Sequence, residues 1–536
     1  MDGLMMNYPL TLPFMLERAG KLFPKTEIVT RLPDKSIHRT TYGEFYRRTK
    51  KLASALTKAG MKRGDRVATL SWNHWRHLEC YFGIPAAGGV LHTLNLRLFA
   101  DDLAYIANHA EDRFLIVDDV LLPLYDQFKD RVKFEKVIVV PFKGPVPAGM
   151  EDYEKFIDSG SEDFRYPDID ENEAMGICYT SGTTGNPKGV LYSHRAIALH
   201  SLVSALPDVH GLSQHDTVMP VVPMFHANAW GLPFICVMVG ARQVFPGPHL
   251  DAANLLDFFA GERVTFSAGV PTIWLGILEA LEKEPSRWKF QSEVRMAVGG
   301  SAVPEALMRK LDRFGMRIIH LWGMTELSPL GTCSQLKASQ AGCTEDEKYA
   351  IRAKQGLPVP LVDTRIVNEK GEAPWDGETM GELQVRGPYV ASSYYRLENS
   401  DDKFTADGWF RTGDVATIDP EGFVKLTDRT KDLIKSGGEW ISSVDLENAI
   451  MGHPAVKEAA VIAIQHPKWD ERPLAVVVLK DGQKATADDI RQYLASRFAK
   501  WWLPDAVEFA DAIPRTSTGK FLKTALRDRY KDWKWQ

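Results

Sequence analysis

The sequence contains little cysteine. Only five of the 536 residues are of this type, namely Cys80, Cys178, Cys236, Cys333 and Cys343. They are scattered, odd in number and never spaced as a CxxC pair, which argues against a disulfide framework and against a cysteine-ligated zinc site. This usage predicts a protein of a reducing compartment, the cytoplasm.

An excess of charge and long apolar runs are missing as well. The formal net charge is -5, with 65 Lys and Arg against 70 Asp and Glu, and the basic residues are dispersed. The longest apolar stretch, residues 230–241, contains Pro233 and is too short to span a bilayer. The first 16 residues lack the basic and apolar regions of a secretion signal. We therefore expect no nucleic-acid partner, no transmembrane segment and no export.

The order of patterns along the chain predicts an α/β fold. Short apolar segments that have the character of buried strands alternate with helical periodicities over the first 355 residues. Glycine-punctuated, alternating segments follow, such as residues 381–386, and they favour an antiparallel subdomain. After Asp428 a small unit with helices predicted at residues 443–452, 487–498 and 520–530 begins. The charged link at residues 428–432 is the predicted boundary.

The strongest local signal is the segment YTSGTTGNPKG at residues 179–189. Glycines allow successive backbone N–H groups to converge on phosphate oxygens, hydroxyls add donors, and Lys188 adds positive charge. A flexible Ser/Thr/Gly loop is the structural alternative. The segment is not a Walker A loop, because Pro187 precedes Lys188 and Gly189 follows it. We interpret it as a phosphate-binding loop.

Four further segments combine charged residues with glycines: LWGMTE at 321–326, GWFRTGD at 408–414, DRTKDLIKSGGEWIS at 428–442 and PRTSTGK at 514–520. Alone, each has an ordinary structural explanation. A Thr-Glu pair caps helices, an Asp after Gly occupies turns, and charge runs or lysines are usually solvated.

Taken together and in this order, the five segments resemble the adenylate-forming enzymes, a superfamily of acyl-CoA synthetases, luciferases and peptide-synthetase adenylation domains. The hinge segment resembles the branch of medium- and long-chain fatty-acid–CoA ligases and of 3-methylmercaptopropionyl-CoA ligases. The resemblance implies an α/β fold with a large N-terminal domain of layered α/β subdomains plus a β-barrel-like subdomain. It also implies a hinge at residues 429–432 and a small, mobile α+β C-terminal domain at residues 433–536, so that residues 1–428 form the large domain.

The resemblance also assigns roles to residues. It implies catalytic roles for Lys520, Glu326, Arg429 and Lys431, and magnesium ligands at Thr180 and Glu326. It implies contacts with ATP or AMP at the following positions: Thr180, Ser181, Gly182, Thr183, Thr184, Gly185, Lys188, Ala227, Gly300, Ser301, His320, Leu321, Trp322, Gly323, Thr325, Asp414, Arg429, Lys431 and Lys435. Contacts with the acyl group or coenzyme A are implied at His226, Trp230, Gly437, Gly438 and Trp440.

The function that the resemblance implies is that of an ATP-dependent acyl-CoA synthetase. The acid would attack the α-phosphate of ATP with Lys520 bridging the two anions, and coenzyme A would then take the acyl group after rotation about Lys431. The partners are a carboxylic acid, ATP with Mg²⁺, and coenzyme A; a homodimer is kept as a hypothesis. We expect a medium- or long-chain fatty acid, because Trp230 matches the gate of an apolar tunnel.

Several alternatives stay open at this point. A short substituted acid such as 3-methylmercaptopropionate competes as substrate. A carrier-loading adenylation protein, a luciferase-like oxygenase and a nucleotide-sensing protein without catalysis are the rivals from other classes. For Trp230 and His226, a packed aromatic and a structural histidine remain the structural alternative.

Overall fold

The structure is a computed structural model. It describes residues 1, 3–180, 186–397, 401–429, 432–436, 439–516 and 520–534, apart from the side chains of Asp401 and Glu439. In this part of the chain, no helix is both long enough and apolar enough to cross a lipid bilayer.

The strands are named in chain order. They are β1 Glu27–Arg31, β2 Ile37–Thr41, β3 Arg66–Leu70, β4 Val90–Thr93, β5 Asp112–Asp118, β6 Lys136–Val140, β7 Glu151–Asp152, β8 Ala174–Tyr179, β9 Gly189–Ser193, β10 Thr217–Pro220, β11 Arg242–Phe245, β12 Phe266–Gly269, β13 Val294–Val298, β14 Met316–Gly323, β15 Leu330–Cys333, β16 Leu357–Pro358, β17 Asp363–Asn368, β18 Gly371–Glu372, β19 Gly381–Arg386, β20 Phe410–Ile418, β21 Val424–Arg429, β22 Ile434–Ser436, β23 Glu439–Ile441, β24 Val456–His466, β25 Asp470–Leu479 and β26 Ala506–Phe509.

The helices are named in the same way. They are α1 Leu12–Leu22, α2 Tyr42–Lys58, α3 Trp75–Ala86, α4 Ala100–Ala110, α5 Leu122–Tyr125, α6 Tyr153–Asp158, α7 His194–Ala205, α8 Ala227–Trp230, α9 Leu232–Val239, α10 Ala252–Gly261, α11 Pro271–Lys283, α12 Glu305–Asp312, α13 Glu345–Arg352, α14 Ser443–Met451, α15 Ala487–Ala495 and α16 Lys523–Arg529.

Two largely parallel sheets form the first part of the fold. One has the order β7-β6-β5-β3-β4-β8-β9, with only β9 antiparallel to its neighbour. The other has the order β16-β15-β14-β13-β12-β10-β11-β1-β2, and its central strands from β14 to β1 are parallel. Because the carboxyl ends of parallel strands meet at one edge of a sheet, the loops after β10, β12, β13 and β14 converge.

Local sequence explains why these elements form where they do. The side chain of Thr41 caps α2 by accepting a hydrogen bond from the backbone N–H of Glu44, at 3.4 Å. Leu52 and Leu56 of α2 are buried and lie on one face of the helix. The predicted segment at residues 381–386 is strand β19 with the expected bounds.

The remainder of the chain forms two further sheets. The order β18-β17-β19-β20-β21 is antiparallel throughout, as residues 381–386 predict. The last sheet has the order β23-β22-β25-β24, with β26 parallel to β25. Apolar residues of β24 and β25 pack against α14 and α15 on one face and against α16 on the other, so this sheet has cores of its own.

The predicted helix at residues 520–530 is wrong at its start. Helix α16 begins only at Lys523. Before it, the N–H of Thr516 donates to the carbonyl of Lys520 at 2.8 Å, and the N–H of Leu522 donates to the carbonyl of Pro514 at 2.8 Å. The backbone around Lys520 is engaged in this antiparallel loop and is therefore unable to form the first helical turn.

Candidate active site

Loops at the carboxyl ends of the parallel strands surround one large cavity. The predicted residues that line it are Thr180, Lys188, His226, Ala227, Trp230, Gly300, Leu321, Trp322, Gly323, Thr325, Glu326, Arg429 and Lys520. An adjoining cleft shares several of these residues and adds three more predicted ones, Ser301, His320 and Asp414. Residues from positions 180 to 520 are thus brought together around two connected spaces.

The other predicted residues fall into two groups. Ser181, Gly182, Thr183, Thr184, Gly185, Lys431, Gly437 and Gly438 lie outside the described residues. Lys435 and Trp440 face each other on the hairpin of β22 and β23, where the Lys435 Nζ is 4.9 Å from the Trp440 ring centroid. Trp440 is 39% exposed, and neither residue is among the described ones that line the two spaces.

The two ends of the predicted phosphate loop are bonded to each other. The N–H of Thr180 donates to the carbonyl of Lys188 at 2.9 Å, and the N–H of Lys188 donates to Thr180 Oγ1 at 3.1 Å. These bonds continue the pairing of β8 with β9 as far as Thr180 and Lys188. The ammonium of Lys188 lies 4.9 Å from the ring centroid of Tyr394.

Glu326 is held from two sides. The hydroxyl of Tyr394 donates to Glu326 Oε1 at 2.6 Å, and the backbone carbonyl of Glu326 accepts the N–H of Ala391 at 2.7 Å. Both carboxylate and phenol are more than 90% buried. Burial, followed by the charge of Glu326, raises the pKa of Tyr394, so this phenol stays protonated and remains a donor.

The site suits a magnesium ion only together with substrate phosphates. The Glu326 carboxylate and the Thr180 hydroxyl line the same cavity, and both are ligands that Mg²⁺ accepts. Among the described residues, no group of three or more His, Cys, Asp or Glu is placed to hold a metal. The donor set therefore fits an ion that arrives with the triphosphate, and it does not fit a cage made by the protein alone.

Asp414 joins the second sheet to the third. Its Oδ2 accepts the indole N–H of Trp322 at 2.8 Å, and its Oδ1 lies 3.0 Å from Nε of Arg429. The carboxylate of Asp414 first, with other nearby acids, keeps the pKa of Arg429 above its usual value. Asp414 is buried and bonded on both carboxylate oxygens, so its carboxylate is a rigid acceptor.

Lys520 enters the same cavity from the last part of the chain. Its Cε would lie 3.3 Å from a Cβ on Gly300, which has a φ of +88°. Gly300 thus provides both the left-handed backbone and the space for the lysine stem. Burial, and then the charge of Arg429, lowers the pKa of Lys520 to about 8, against the opposing charges of Asp414 and Glu326. The side chain is therefore largely an ammonium at neutral pH.

His226 and Trp230 flank a turn with left-handed backbone. Residues Ala227 to Trp230 have φ values of 42°, 54°, 49° and 56°, and Gly231 follows at 80°. Such a run without glycine is strained, at a cost of about 1–2 kcal/mol per residue. The turn is held by bonds that include Ala229 N–H to the His226 carbonyl at 3.1 Å. Burial, followed by the charge of Lys520, lowers the pKa of His226 to about 4, which keeps this ring neutral.

Comparison with known proteins identifies the family. The model of the AMP-binding enzyme family matches residues 16–395, and the model of the AMP-binding enzyme C-terminal domain matches residues 445–520. The chain belongs to the AMP-binding enzyme family. The predicted membership in the adenylate-forming superfamily is thereby confirmed.

Relatives of this family cover nearly the whole chain. A long-chain-fatty-acid–CoA ligase of Thermus thermophilus is 51% identical over 99% of this chain and 97% of its own length. A 3-methylmercaptopropionyl-CoA ligase of Ruegeria lacuscaerulensis is 45% identical over 99% of each chain. The crystal structure of an anthranilate CoA ligase with anthranoyl-AMP is 26% identical, covers 98% of each chain and superposes with a TM-score of 0.87. The predicted α/β fold class with a large and a small domain is confirmed.

Sequence reasoning missed several residues of this AMP-binding enzyme's cavity. Tyr394, Lys403, Arg411 and His210 all line it. Tyr394 stands in a run of serines and tyrosines that has no distinctive pattern, and His210 lies in a polar loop after α7. Arg411 lies within the segment at residues 408–414, of which the sequence analysis assigned a role to Asp414 alone. No local signal pointed to Tyr394, Lys403 or His210.

Proposed function

We propose that this chain is an ATP-dependent, AMP-forming fatty-acid–CoA ligase that acts on acids of medium to long chain. One observation carries the proposal: the Lys520 ammonium and the Glu326 carboxylate line the same cavity as the apolar residues around Trp230. A cationic group for two anions, a metal-binding carboxylate and an apolar wall are the three elements that acyl-adenylate formation requires.

In the first step the carboxylate of the acid attacks the α-phosphorus of ATP, and the bond to pyrophosphate breaks. Lys520 offsets the repulsion between the two anions, because its ammonium is buried and positioned before the substrates meet. Asp414 orients the nucleotide through the ribose hydroxyls, and Lys188 balances phosphate charge. Glu326 and Thr180 would hold a magnesium ion, which would neutralise charge on the pyrophosphate leaving group.

The neutral His226 faces the developing acyl-adenylate without adding positive charge beside Lys520. Trp230 ends the strained turn at the apolar wall of the cavity, where Val222 and Leu330 also lie. This wall favours an aliphatic chain, and the Thermus thermophilus relative named for long-chain acids supports the same class.

The second step requires another arrangement of the same chain. We assign residues 1–428 to a large domain, residues 429–432 to a hinge and residues 433–536 to a small mobile domain. Lys520 lines the cavity while Trp440 is exposed on its hairpin, so we expect coenzyme A to gain access only when the small domain turns. The thiol then attacks the acyl carbonyl, the bond to AMP breaks and AMP leaves.

A screen of acids tests the proposal. Coenzyme A-dependent release of AMP is measured for straight-chain acids from propionate to palmitate, with an aromatic acid and 3-methylmercaptopropionate included. We expect the highest kcat/KM between medium and long chains, and loss of the activity in Lys520→Ala. The proposal fails if no acid releases AMP, or if adenylates form without any coenzyme A-dependent thioester, which would indicate carrier loading.

A short substituted acid is the second candidate substrate. The Ruegeria lacuscaerulensis relative, at 45% identity over nearly the full length, is named for 3-methylmercaptopropionate. A kcat/KM for this acid at least tenfold above those of octanoate and palmitate would favour it over the fatty acids.

The proposal also covers the cellular location and the oligomeric state of the enzyme. The five cysteines are free, and all but the partly exposed Cys343 are buried, in keeping with the proposed cytoplasmic location. Association as a homodimer also remains a proposal, and light scattering of the purified protein measures it directly.

A further inference from the structure

The apolar side of the cavity contains one imidazole that the proposed chemistry does not use. His210 lines the cavity together with Val222, Trp230 and Leu330, and it is only 2% exposed. It follows α7 in the chain and is far in sequence from the phosphate loop and from Lys520. The polar ring of His210 contrasts with the apolar side chains of these three residues.

The position of this ring is strongly constrained. The N–H of His210 donates to the carbonyl of Ser204 at 3.1 Å, and the His210 carbonyl accepts from Nη1 of Arg295 at 2.7 Å. Arg295 is itself bonded to Asp216. The imidazole centroid lies 5.3 Å from that of the Phe266 ring. The backbone of His210 is therefore fixed by hydrogen bonds, and its buried ring packs near Phe266.

The ring is neutral and incompletely paired. Burial, and then the charge of Arg295, lowers the pKa of His210 to about 3. Its Nδ1 is sealed from solvent and has no hydrogen-bond partner among the described residues. Nε2 is not among the sealed atoms and has no hydrogen-bond partner in the described part of the chain, so it is the ring nitrogen that is open to the cavity. Leaving a buried polar atom unpaired costs about 1–3 kcal/mol, which a phenylalanine at this position would avoid.

A hydroxyl group is the ligand that suits a neutral imidazole best. Nε2 is a donor in one tautomer and an acceptor in the other, and a hydroxyl serves as partner in both cases. A thioether sulfur accepts only weakly, and a methylene offers nothing. We propose that His210 is a specificity-determining residue that binds a hydroxyl group on the acyl chain, so that the substrate class is hydroxylated fatty acids. This inference rests on the proposed function and narrows its substrate.

The test is a scan of matched acids. The kcat/KM of coenzyme A-dependent AMP release is measured for octanoate and for octanoates with one hydroxyl at each carbon from C3 to C8. The wild-type protein should favour one hydroxylated isomer over octanoate by about tenfold or more, as a hydrogen bond in a site built for it provides. His210→Phe should reduce that ratio to near one, and His210→Gln, which keeps a donor and an acceptor, should retain part of it.

Val222→Ala is the matched control. This change alters the volume of the same apolar wall and leaves His210 in place, so absolute rates should change while the ratio for the favoured isomer stays.

Each outcome has a defined meaning. Turnover of octanoate without a favoured isomer in the wild-type protein overturns the inference alone, and this reading does not depend on any variant being folded. A ratio that persists in His210→Phe also overturns it. If no acid releases AMP, the proposed function fails first and the inference fails with it.

Discussion

At the scale of single residues, the cavity depends on side chains that are fixed by other side chains. The Glu326 carboxylate accepts a hydrogen bond from the Tyr394 hydroxyl, and the Asp414 carboxylate accepts one from the Trp322 indole N–H. Both bonds join strand β14, or the residues just after it, to segments 68 and 92 residues further along the chain. Such bonds orient the groups before a substrate arrives, which lowers the reorganisation needed in the reaction.

The hydroxyl of Tyr394 should matter for the use of magnesium. In Tyr394→Phe the Glu326 carboxylate loses a charge-assisted hydrogen bond, worth about 1.5–3 kcal/mol. We expect ATP–pyrophosphate exchange to fall by about tenfold and to require a higher Mg²⁺ concentration for half-maximal rate. The neighbouring variant Tyr395→Phe is the control, because the Tyr395 ring packs against His109 instead. An unchanged Mg²⁺ dependence in Tyr394→Phe would contradict the role.

The charge of Lys520 predicts a pH profile for the first step. Its pKa is lowered to about 8, so the ammonium is present below that pH and is lost as the pH rises through it. The kcat/KM of ATP–pyrophosphate exchange should therefore decline above about pH 8. Lys520→Arg keeps its charge at every pH used and should show a lower rate without this decline. A wild-type profile that stays level well above pH 8 would refute the assignment.

At the scale of elements, the start of α14 and the start of α16 are joined by a buried charge cluster. Lys523 of α16 lies 2.7 Å from Glu447 Oε1 and donates to Ser443 Oγ, at 2.5 Å. The N–H of Ser443 donates to Asp428 Oδ2 at 2.9 Å, which ties α14 to the end of β21. Although burial opposes its charge, these carboxylates raise the pKa of Lys523. The cluster fixes the loop that carries Lys520 relative to the proposed hinge.

Removing the cation from this cluster should be costly. Lys523→Met leaves the Glu447 carboxylate buried without its partner, and we expect a loss of about 3–5 kcal/mol in the free energy of unfolding. Denaturant unfolding monitored by tryptophan fluorescence measures this change. Lys531→Met removes the same charge at an exposed position and should change stability by less than about 0.5 kcal/mol. Equal losses of unfolding free energy in the two variants would show that the buried cluster contributes no more to stability than an exposed charge.

At the scale of the whole molecule, the arrangement fits the first step of the proposed reaction. Lys520 lies in the cavity, and Trp440 faces outward on its hairpin. If the small domain turns to bring Trp440 to the acyl-adenylate, the two half-reactions depend on different faces of the same unit. Such a division makes the steps separable by mutation.

Trp440→Ala should separate them. We expect ATP–pyrophosphate exchange to persist, and conversion of a supplied acyl-adenylate to the thioester to fall by at least about tenfold. Trp375→Ala removes a similarly exposed tryptophan, 44% accessible, from the loop before β19 and should retain both steps. Loss of both activities in Trp440→Ala, or of neither, would contradict the proposed rotation.

Much of the molecule was predictable from sequence where the signal is local. The phosphate-loop segment at residues 179–189 and each of the four charged, glycine-containing segments are patterns within a few consecutive residues. Together with the family resemblance that they carry, these patterns predicted the α/β fold class, the family and about half of the residues that line the cavity. The left-handed turn at residues 227–230 and the loop that replaces the first turn of the predicted helix at Lys520 were not predicted. Their backbone is set by contacts with other parts of the chain.

The sequence by itself determined which chemical groups are present and in which order the chain delivers them. Only the tertiary structure decided which of them meet: Tyr394 with Glu326, Trp322 and Arg429 with Asp414, and His210 with the apolar wall. The physical reason is that local propensities depend on neighbours in the chain. Hydrogen bonds and burial in the site join residues tens to hundreds of positions apart, and they exist only once the sheets have packed.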